Sequence, residues 1–472
     1  MGEPGHLSEK RGMHSKSIPA EPSHPRWVES VYERLAQDDE GRVCKDITDN
    51  ACRQAPGNFF RMLLANTLSN LADRIVSAKT TLPWLMLQLG APAWMLSILV
   101  PIREAGSMLP QLWIGLLIRQ RAVRKWVWVA GGLCQGLCLL IMGWVAMTLK
   151  GALAGTLIVM LLVVFSVARG ACSVAYKDVQ GKTIPKTRRG RLAGWISMVS
   201  GLTAVGAGLL LGSLDILGLE GSTGSVDSVG KPQSSAVFAI LLTAGAVLWC
   251  VAACFFSRMI EEPGATEGGK DGWRAAVDKL SLIRDDRPFR NFVIARALAL
   301  GTGLAAPLYV VLARDSLGHT ISLLGLFIAV EGLASLVSSP VWGKWADRSS
   351  RQVFCVACAL ASLLSIAVAI WSWLPVPSLA HEAFYLSAFF GLGVAHAGVR
   401  LGRKTYLVDM AQGSQRSDYV AVSNTFIGGL LLIVGLFSGL LATFSAQASL
   451  IALAVTGLMG AALSLKWREV SG

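Results

Sequence analysis

Residues 155–168 read GTLIVMLLVVFSVA, a run without a single charge. The apolar segment around it extends over about residues 152–176, long enough for a helix to cross the roughly 30 Å hydrocarbon core of a bilayer. Similar runs recur along the 472-residue chain, of which 53% is hydrophobic and 15% charged, whereas soluble domains carry about 25% charged residues. The sequence therefore predicts an all-α polytopic membrane protein.

Hydropathy divides the chain into twelve predicted spans. They cover about residues 59–88, 92–118, 124–148, 152–176, 192–214, 235–257, 290–313, 319–343, 352–374, 382–406, 421–442 and 446–465. Before them, residues 1–55 form a polar tail that we expect to be partly disordered, with Trp27, Val31 and Leu35 as the apolar stripe of a short surface helix. We expect two six-helix bundles at 56–258 and 289–468, joined by a linker at 259–288 with a short amphipathic helix marked by Trp273, Val277 and Leu280.

The net charge of +13 is concentrated in alternate loops. RQRAVRK (119–125) and YKDVQGKTIPKTRRGR (176–191) are basic, whereas LGAP (89–92) and FSAQ (444–447) carry no base. Because Lys and Arg accumulate in cytoplasmic loops, both termini are expected in the cytoplasm. The charge is thus a topology signal rather than a nucleic-acid patch, and we expect a multi-pass protein of the cell membrane, in particular a bacterial inner membrane.

The two halves of the chain resemble each other at an offset near 230 residues. REAGSMLPQLWIG (103–115) and VEGLASLVSSPVWG (330–343) each place Glu, Ser, Pro, Trp and Gly in the same order before a basic loop. Repeated six-span halves are one architecture of secondary transporters, with the binding site between the halves at mid-depth. The pattern predicts two pseudo-symmetric six-helix bundles.

Residues 343–351, GKWADRSSR, follow the eighth span. They resemble the G-x-x-x-D-R-x-G-R signature of the major facilitator superfamily, with Ser350 in place of the second Gly; the matching residues are Gly343, Asp347, Arg348 and Arg351. The first-half copy, GLLIRQRAVRK (115–125), departs further from this pattern. It keeps Gly115, Arg124 and Lys125, but has Arg119 at the Asp position and Ala122 at the Gly position.

This resemblance covers about residues 56–468. It implies a twelve-span fold and alternating access, with the signature residues acting as a gate at the cytoplasmic face that must open during transport. The other interpretation is that these charges only anchor the loops at the lipid headgroups.

Charges also lie inside the predicted spans, where each costs about 2.5–3.5 kcal/mol at the bilayer centre. Asp73 and Arg74 lie near the midpoint of span 1, and Arg103 and Glu104 at similar depth in span 2. In span 1, helical spacing places Asn66, Asn70, Asp73 and Ser77 on one polar stripe with Arg74 at its edge, while Lys79 points almost the opposite way. The resemblance implies that this stripe faces the central cavity. Two interpretations stay open: a site for protons and anions, or static Asp73–Arg103 and Arg74–Glu104 bridges.

Glu331 lies at the middle of span 8 with no base at its level in that span, which makes it the leading candidate for proton coupling. Its other interpretation is a neutral Glu that bonds to a neighbouring helix. A basic set in spans 4, 7 and 10, which line the cavity in the family, favours recognition of an organic anion. This set comprises Arg169, Arg296, His396, Arg400 and Arg403.

The sequence thus predicts a monomeric secondary transporter of a small solute in a lipid bilayer, with proton coupling as one option. The alternative is a non-transporting membrane protein of the same fold that acts as a sensor or assembly factor. No catalytic or metal-binding constellation is visible, so we expect neither an enzyme nor a cofactor. The nine cysteines indicate no disulfide framework.

Overall fold

The computed structural model describes residues 25, 28–29, 31–32, 47–213, 232–264, 279–317, 321–375, 377–410 and 416–470. In these residues every regular element is a helix. Ten segments are long and apolar enough to cross a membrane. Two more spans precede them, and each is broken into two helices. The predicted all-α fold with twelve spans is confirmed.

The spans are numbered 1–12 in chain order. Span 1 consists of Asp49–Ile75 and Thr81–Gln88, and span 2 of Ala93–Met108 and Gln111–Arg119. Spans 3–6 are the helices Lys125–Thr148, Gly151–Thr183, Lys186–Gly212 and Pro232–Ser257.

A 3-10 turn at Lys279–Ser281 and a short helix at Leu282–Asp285 precede span 7, which consists of Arg287–Leu298 and Gly301–Leu317. Spans 8 and 9 form the stretch Ile321–Trp371, interrupted at Ser349, where φ is −159° and ψ is 97°. Spans 10–12 are Ser378–Met410, Arg416–Phe444 and Ala446–Ser464.

Span 1 breaks at residues 76–80, the sequence VSAKT. The Thr81 hydroxyl donates to the Ile75 carbonyl at 2.6 Å, and the Ser77 hydroxyl accepts from the Lys79 amide at 3.1 Å. These side chains satisfy backbone groups that the helix ends leave open. The break turns Lys79 away from the direction that a continuous helix would give it.

Within each half of the chain, helices at equivalent positions contact each other. Span 1 packs on spans 5 and 6, and span 3 on spans 4 and 6; span 7 packs on spans 11 and 12, and span 9 on span 12. Between the halves, the main contacts are the equivalent pairs of span 5 with span 8 and span 2 with span 11. Each half thus has its own internal packing, and the two halves meet along two helix pairs.

The halves meet most closely at one end. A Cβ on Gly208 of span 5 would lie 2.3 Å from the Ala329 backbone nitrogen of span 8, and one on Gly325 would lie 2.4 Å from the Gly212 nitrogen. Toward the other end, where the Lys- and Arg-rich loops lie, a Cβ on Gly190 or Gly194 of span 5 would meet nothing within 4 Å. We call this other end the basic end; spans 5 and 8 separate towards it.

The N-terminal segment packs by a different face from the predicted one. Val28 and Tyr32 are buried, whereas Val31 is 36% exposed. The centres of the Tyr32 and Phe59 rings lie 5.3 Å apart in an edge contact. The Arg188 guanidinium lies 4.3 Å from the centre of the Tyr32 ring. The predicted stripe is therefore wrong at Val31, because the segment buries the neighbouring positions against spans 1 and 5.

Other predictions for the tail and linker fall largely outside the described residues. These are Trp27, Leu35, Trp273 and Val277; Leu280 is 37% exposed. Cys52 is disulfide-bonded, which corrects the expectation of no disulfide, while the seven cysteines within the spans are free.

Candidate functional site

A cavity of about 460 Å³ lies between the two halves at the level of the break in span 1. Its wall is mainly polar and includes the ring of Phe389. The neutral hydrogen-bonding residues are Asn70, Ser77, Ser107, Ser173, Ser197, Ser200, Thr302 and Ser335. The charged residues are Asp73, Arg74, Lys79, Arg103, Glu104, Arg169, Glu331 and Arg400, with His396 beside them. This is a concave polar site of the size that holds small ligands.

Asp73 holds the first-half wall of this cavity together. Its Oδ2 accepts from Arg103 Nη2 at 3.2 Å and from Arg169 Nη2 at 2.9 Å, which joins spans 1, 2 and 4. The Arg103 guanidinium also lies 5.1 Å from the centre of the Phe165 ring, and that of Arg169 lies 5.3 Å from Trp249. Such cation–π contacts fix the orientation of both arginines. The cluster therefore matches the Asp73–Arg103 bridge and adds a second arginine to it.

The other bridge suggested by the sequence is not formed. Arg74 Nη2 donates instead to Ser335 Oγ of span 8 at 3.2 Å, across the interface between the halves. In the part of the chain that the structure describes, Glu104 and Arg74 make no ion pair within 4.0 Å. Equal depth on adjacent spans did not bring these side chains together, because Arg74 points across the cavity.

The predicted polar stripe of span 1 reaches the cavity only in part. Asn70 lines it and donates to Ser200 Oγ at 3.4 Å. Asn66 does not line it, since its amide donates to the Met62 carbonyl one turn back at 2.8 Å. The prediction that Asn66 belongs to the site is therefore not supported by its position.

Lys79 lies at the centre of the site, which sequence reasoning missed. It lines the large cavity and a smaller one of about 100 Å³ beside it. The charges of Glu104 and Glu331 both act on its ammonium group. The signal that could have located it is the polar sequence VSAKT, which interrupts an otherwise helical span.

The smaller cavity lies between spans 1, 2, 7, 9, 10 and 11. Lys79, Arg296, Arg400 and Arg403 supply its cations, and Glu104 supplies its one carboxylate among the lining residues. The structure thus divides the predicted basic set: Arg169 lines the large cavity, Arg296 and Arg403 line the small one, and His396 and Arg400 line both.

The first-half copy of the signature takes part in a bonded network at the basic end. The Glu261 carboxylate accepts from the backbone nitrogens of Arg124 and Lys125, at 2.9 and 2.7 Å, where span 3 begins. It also pairs with Lys182 at 3.0 Å, and Arg124 in turn pairs with Asp178 of span 4. The Lys125 ammonium bonds to two carbonyls at the end of span 6. All of these contacts lie within spans 1–6 and their loops.

The second-half copy makes equivalent contacts within spans 7–12. Arg351 donates to the Trp467 carbonyl at 3.0 Å and pairs with Glu469 at 3.4 Å. Arg348 is exposed, and the side chains of Asp347 and Arg119 lie outside the described residues. A Cβ on Gly343 or Gly115 would meet nothing within 4 Å. Neither glycine of the two signature copies therefore lies at a close helix contact in this conformation.

Similar proteins share the fold at low identity. Residues 292–472 match the sequence model of the Major Facilitator Superfamily, and no curated protein matches the sequence. A D-xylose–proton symporter is 11% identical with a TM-score of 0.67, over 88% of this chain and 99% of that one. A mutant form of the nucleoside transporter NupG is 13% identical with a TM-score of 0.62, over 86% of this chain and 97% of that one.

A POT family transporter in complex with 5-aminolevulinic acid is 12% identical with a TM-score of 0.61, over 86% of this chain and 95% of that one. At such identities these structures show the fold and not the solute. The sequence match lies in spans 7–12 and the structural likeness extends over both halves. This multi-pass membrane chain therefore shares the fold of these transporters, and its second half matches the sequence model of the Major Facilitator Superfamily.

Proposed function

We propose that the chain is a secondary transporter that moves a small organic anion by alternating access. The observation that carries this proposal is the charged 460 Å³ cavity between two halves that pack separately. Five cations line it, against three carboxylates. An excess of positive charge in a cavity with low-dielectric walls favours an anionic solute. The transport functions of the structural neighbours agree with a transporter of this fold.

The proposed orientation places the basic end in the cytoplasm, following the excess of Lys and Arg in its loops. The close contacts of Gly208 and Gly325 then lie on the outer side of the cavity. The Arg314 guanidinium also lies 3.5 Å from the Gln88 oxygen at that side. In this proposal the structure is the state closed to the outside, and transport requires these contacts to separate.

Proton coupling is part of the proposal, with Glu331 as the coupling group. Asp73 is bound by two guanidinium groups, so taking up a proton there would break two ion pairs at once. Glu331 lines the cavity, and no cationic nitrogen lies within 4.0 Å of its carboxylate among the described residues. Arg74 and Lys79 interact with it electrostatically at longer range. An unpaired carboxylate in a transporter cavity is suited to exchange protons with the solution.

Reconstitution in proteoliposomes tests both parts. Small organic acids are supplied under an imposed pH gradient, while uptake and the internal pH are recorded. We expect saturable uptake of at least one anion together with a change in internal pH. Glu331→Gln should abolish gradient-driven accumulation and keep solute exchange, whereas Glu382→Gln, whose carboxylate does not line the cavity, should leave both accumulation and exchange unchanged.

If no solute moves and the internal pH never changes, the transporter proposal is contradicted and a sensor or assembly role gains support. If Glu331→Gln transports and accumulates like the unsubstituted protein, the coupling role of Glu331 is contradicted while transport stands.

A further inference from the structure

The smaller cavity has a large imbalance of charge. It has a volume of about 100 Å³, and four of the residues that line it carry a positive charge while one carries a carboxylate. The large cavity differs, because Asp73 neutralises part of its charge and eight neutral polar side chains line it. The two adjoining cavities are thus suited to different parts of one solute.

Arg296 is a deeply buried member of this set, at 5% exposure. Its Nη1 donates to Ser423 Oγ at 2.6 Å and its Nη2 to Asn424 Oδ1 at 3.0 Å. Both partners are neutral, so they fix the guanidinium in place without compensating its charge. Its Nε has no hydrogen-bond partner among the described residues. A buried cation in this condition is unfavourable unless an anion joins it.

The remaining cations are also left without a close counter-charge. In the described parts of the chain, Lys79, Arg400 and Arg403 have no carboxylate within 4.0 Å of their charged nitrogens. Glu104 lies close enough for all three to act on it, but it forms a direct pair with none of them. One carboxylate at a distance does not balance four cations.

We propose that the smaller cavity is an oxyanion subsite, which binds the phosphate, sulfate or carboxylate head of the solute. This inference rests on the proposed function and specifies it: the hydrogen-bonding body of the solute occupies the large cavity, against its serines and Asn70. Planar guanidinium groups bind such oxyanions through paired N–H donors. Lys79, which lines both cavities, contacts the solute where head and body join.

The volume and lining support a head of this kind rather than an apolar group. About 100 Å³ is enough for a tetrahedral or planar oxyanion but not for a sugar-sized body. Water alone would leave the excess positive charge uncompensated. The chemical class of solute is therefore a polar organic anion with a single compact charged head and hydrogen-bonding groups beyond it.

Binding of inorganic phosphate to the purified full-length protein tests the subsite. Thermal unfolding and calorimetric titration are measured in sodium phosphate and in sodium chloride of equal ionic strength. We expect saturable stabilisation by phosphate alone. Arg403→Gln should weaken phosphate binding about tenfold or more, the effect of losing a charge-assisted hydrogen bond, and Arg403→Lys should weaken it less.

Lys466→Gln is the matched control, since it removes one exposed positive charge that lines neither cavity. It should bind phosphate as the unsubstituted protein does. Elution as a single species in size-exclusion chromatography shows that each variant is folded. Should Arg403→Gln fail this criterion, Arg400→Gln, at the junction of the two cavities, provides the same measurement.

The subsite proposal is contradicted if phosphate does not bind the protein. It is also contradicted if phosphate binds the Arg403→Gln and Lys466→Gln variants with equal affinity. If an organic anion is nevertheless transported in proteoliposomes, the transporter proposal stands and only the subsite fails. If phosphate binding depends on Arg403 while no solute is ever transported, the subsite stands and the transporter proposal fails.

Discussion

Glu261 and Glu469 occupy equivalent positions after the last spans of the two halves, and each binds the beginning of the third span of its own half. Glu261 accepts from the backbone of Arg124 and Lys125. Glu469 accepts from the Ser349 hydroxyl at 2.6 Å and from Arg351 at 3.4 Å. The internal repeat of the sequence is thus retained in bonded contacts at the basic end, although the signature residues themselves differ between the halves.

Glu261→Gln should destabilise the first half strongly. The side chain is fully buried, and its loss of charge leaves Lys182 and two backbone N–H groups at the start of span 3 with a weaker partner. Removing one partner of a buried pair costs about 3–5 kcal/mol. We expect a lower apparent Tm in detergent and less protein in the membrane fraction.

The adjacent residue provides the control for that variant. Glu262 bonds only to the exposed side chains of Thr48 and Asn50 among the described residues. Glu262→Gln should therefore leave the apparent Tm nearly unchanged. Equal losses in the two variants would show that Glu261 has no special role in holding spans 3 and 6 together.

Glu469→Gln should have a much smaller effect than Glu261→Gln, despite the equivalent position. Its side chain is 36% exposed, and its pair with Arg351 is longer. Exposed ion pairs contribute about 0–1 kcal/mol because solvent screens them. The measurement is the same thermal unfolding; a loss as large as that of Glu261→Gln would contradict the difference in burial.

A double-mutant cycle determines whether the Asp73 cluster is static. Asp73→Asn leaves Arg103 and Arg169 without their carboxylate in the cavity wall, so we expect reduced stability and no transport. Adding Arg169→Gln removes one of the two guanidinium groups that Asp73→Asn leaves without a counter-charge. It should restore part of the stability, because the effects of substitutions at contacting charges are not additive.

Transport distinguishes the two roles of the cluster. If the bridges are purely structural, the double variant recovers transport along with stability. If the bridges must open during the cycle, stability recovers while transport stays absent. Additive losses in both measurements would contradict any coupling between Asp73 and Arg169.

Gly208→Ala should disfavour the state that the structure shows. The added Cβ would lie 2.3 Å from the Ala329 nitrogen, which is backbone and has little freedom to move. Spans 5 and 8 must then separate at the end opposite the basic loops. We expect lower thermal stability in this state and slower solute exchange.

Gly206→Ala is the matched control, two residues away on the same helix. A Cβ at Gly206 would meet nothing within 4 Å. Because Ala has a higher helix propensity than Gly, this variant should be neutral or slightly more stable. Equal behaviour of the two variants would contradict the close approach of spans 5 and 8 at Gly208.

The sequence predicted some of the contacts between the cavity charges and not others. The structure joins Asp73 to Arg103, as equal depth on an antiparallel pair of spans predicts. The predicted partner of Arg74 is wrong, since its hydroxyl acceptor, Ser335, lies on span 8 in the other half. Helical periodicity assigns Lys79 to the opposite face, because it treats span 1 as one continuous helix, whereas the two helices of that span end at Ile75 and begin at Thr81.

The sequence by itself determined the membrane-spanning class, the twelve spans, the repeat and the depth of the charges. These follow from apolar length, Lys and Arg distribution and the cost of charge in hydrocarbon, all of which are local properties of the chain. Only the tertiary structure decided which charges meet. Pairing depends on the packing of spans distant in sequence, and that packing joined Asp73 to Arg169 and left four cations facing one small cavity.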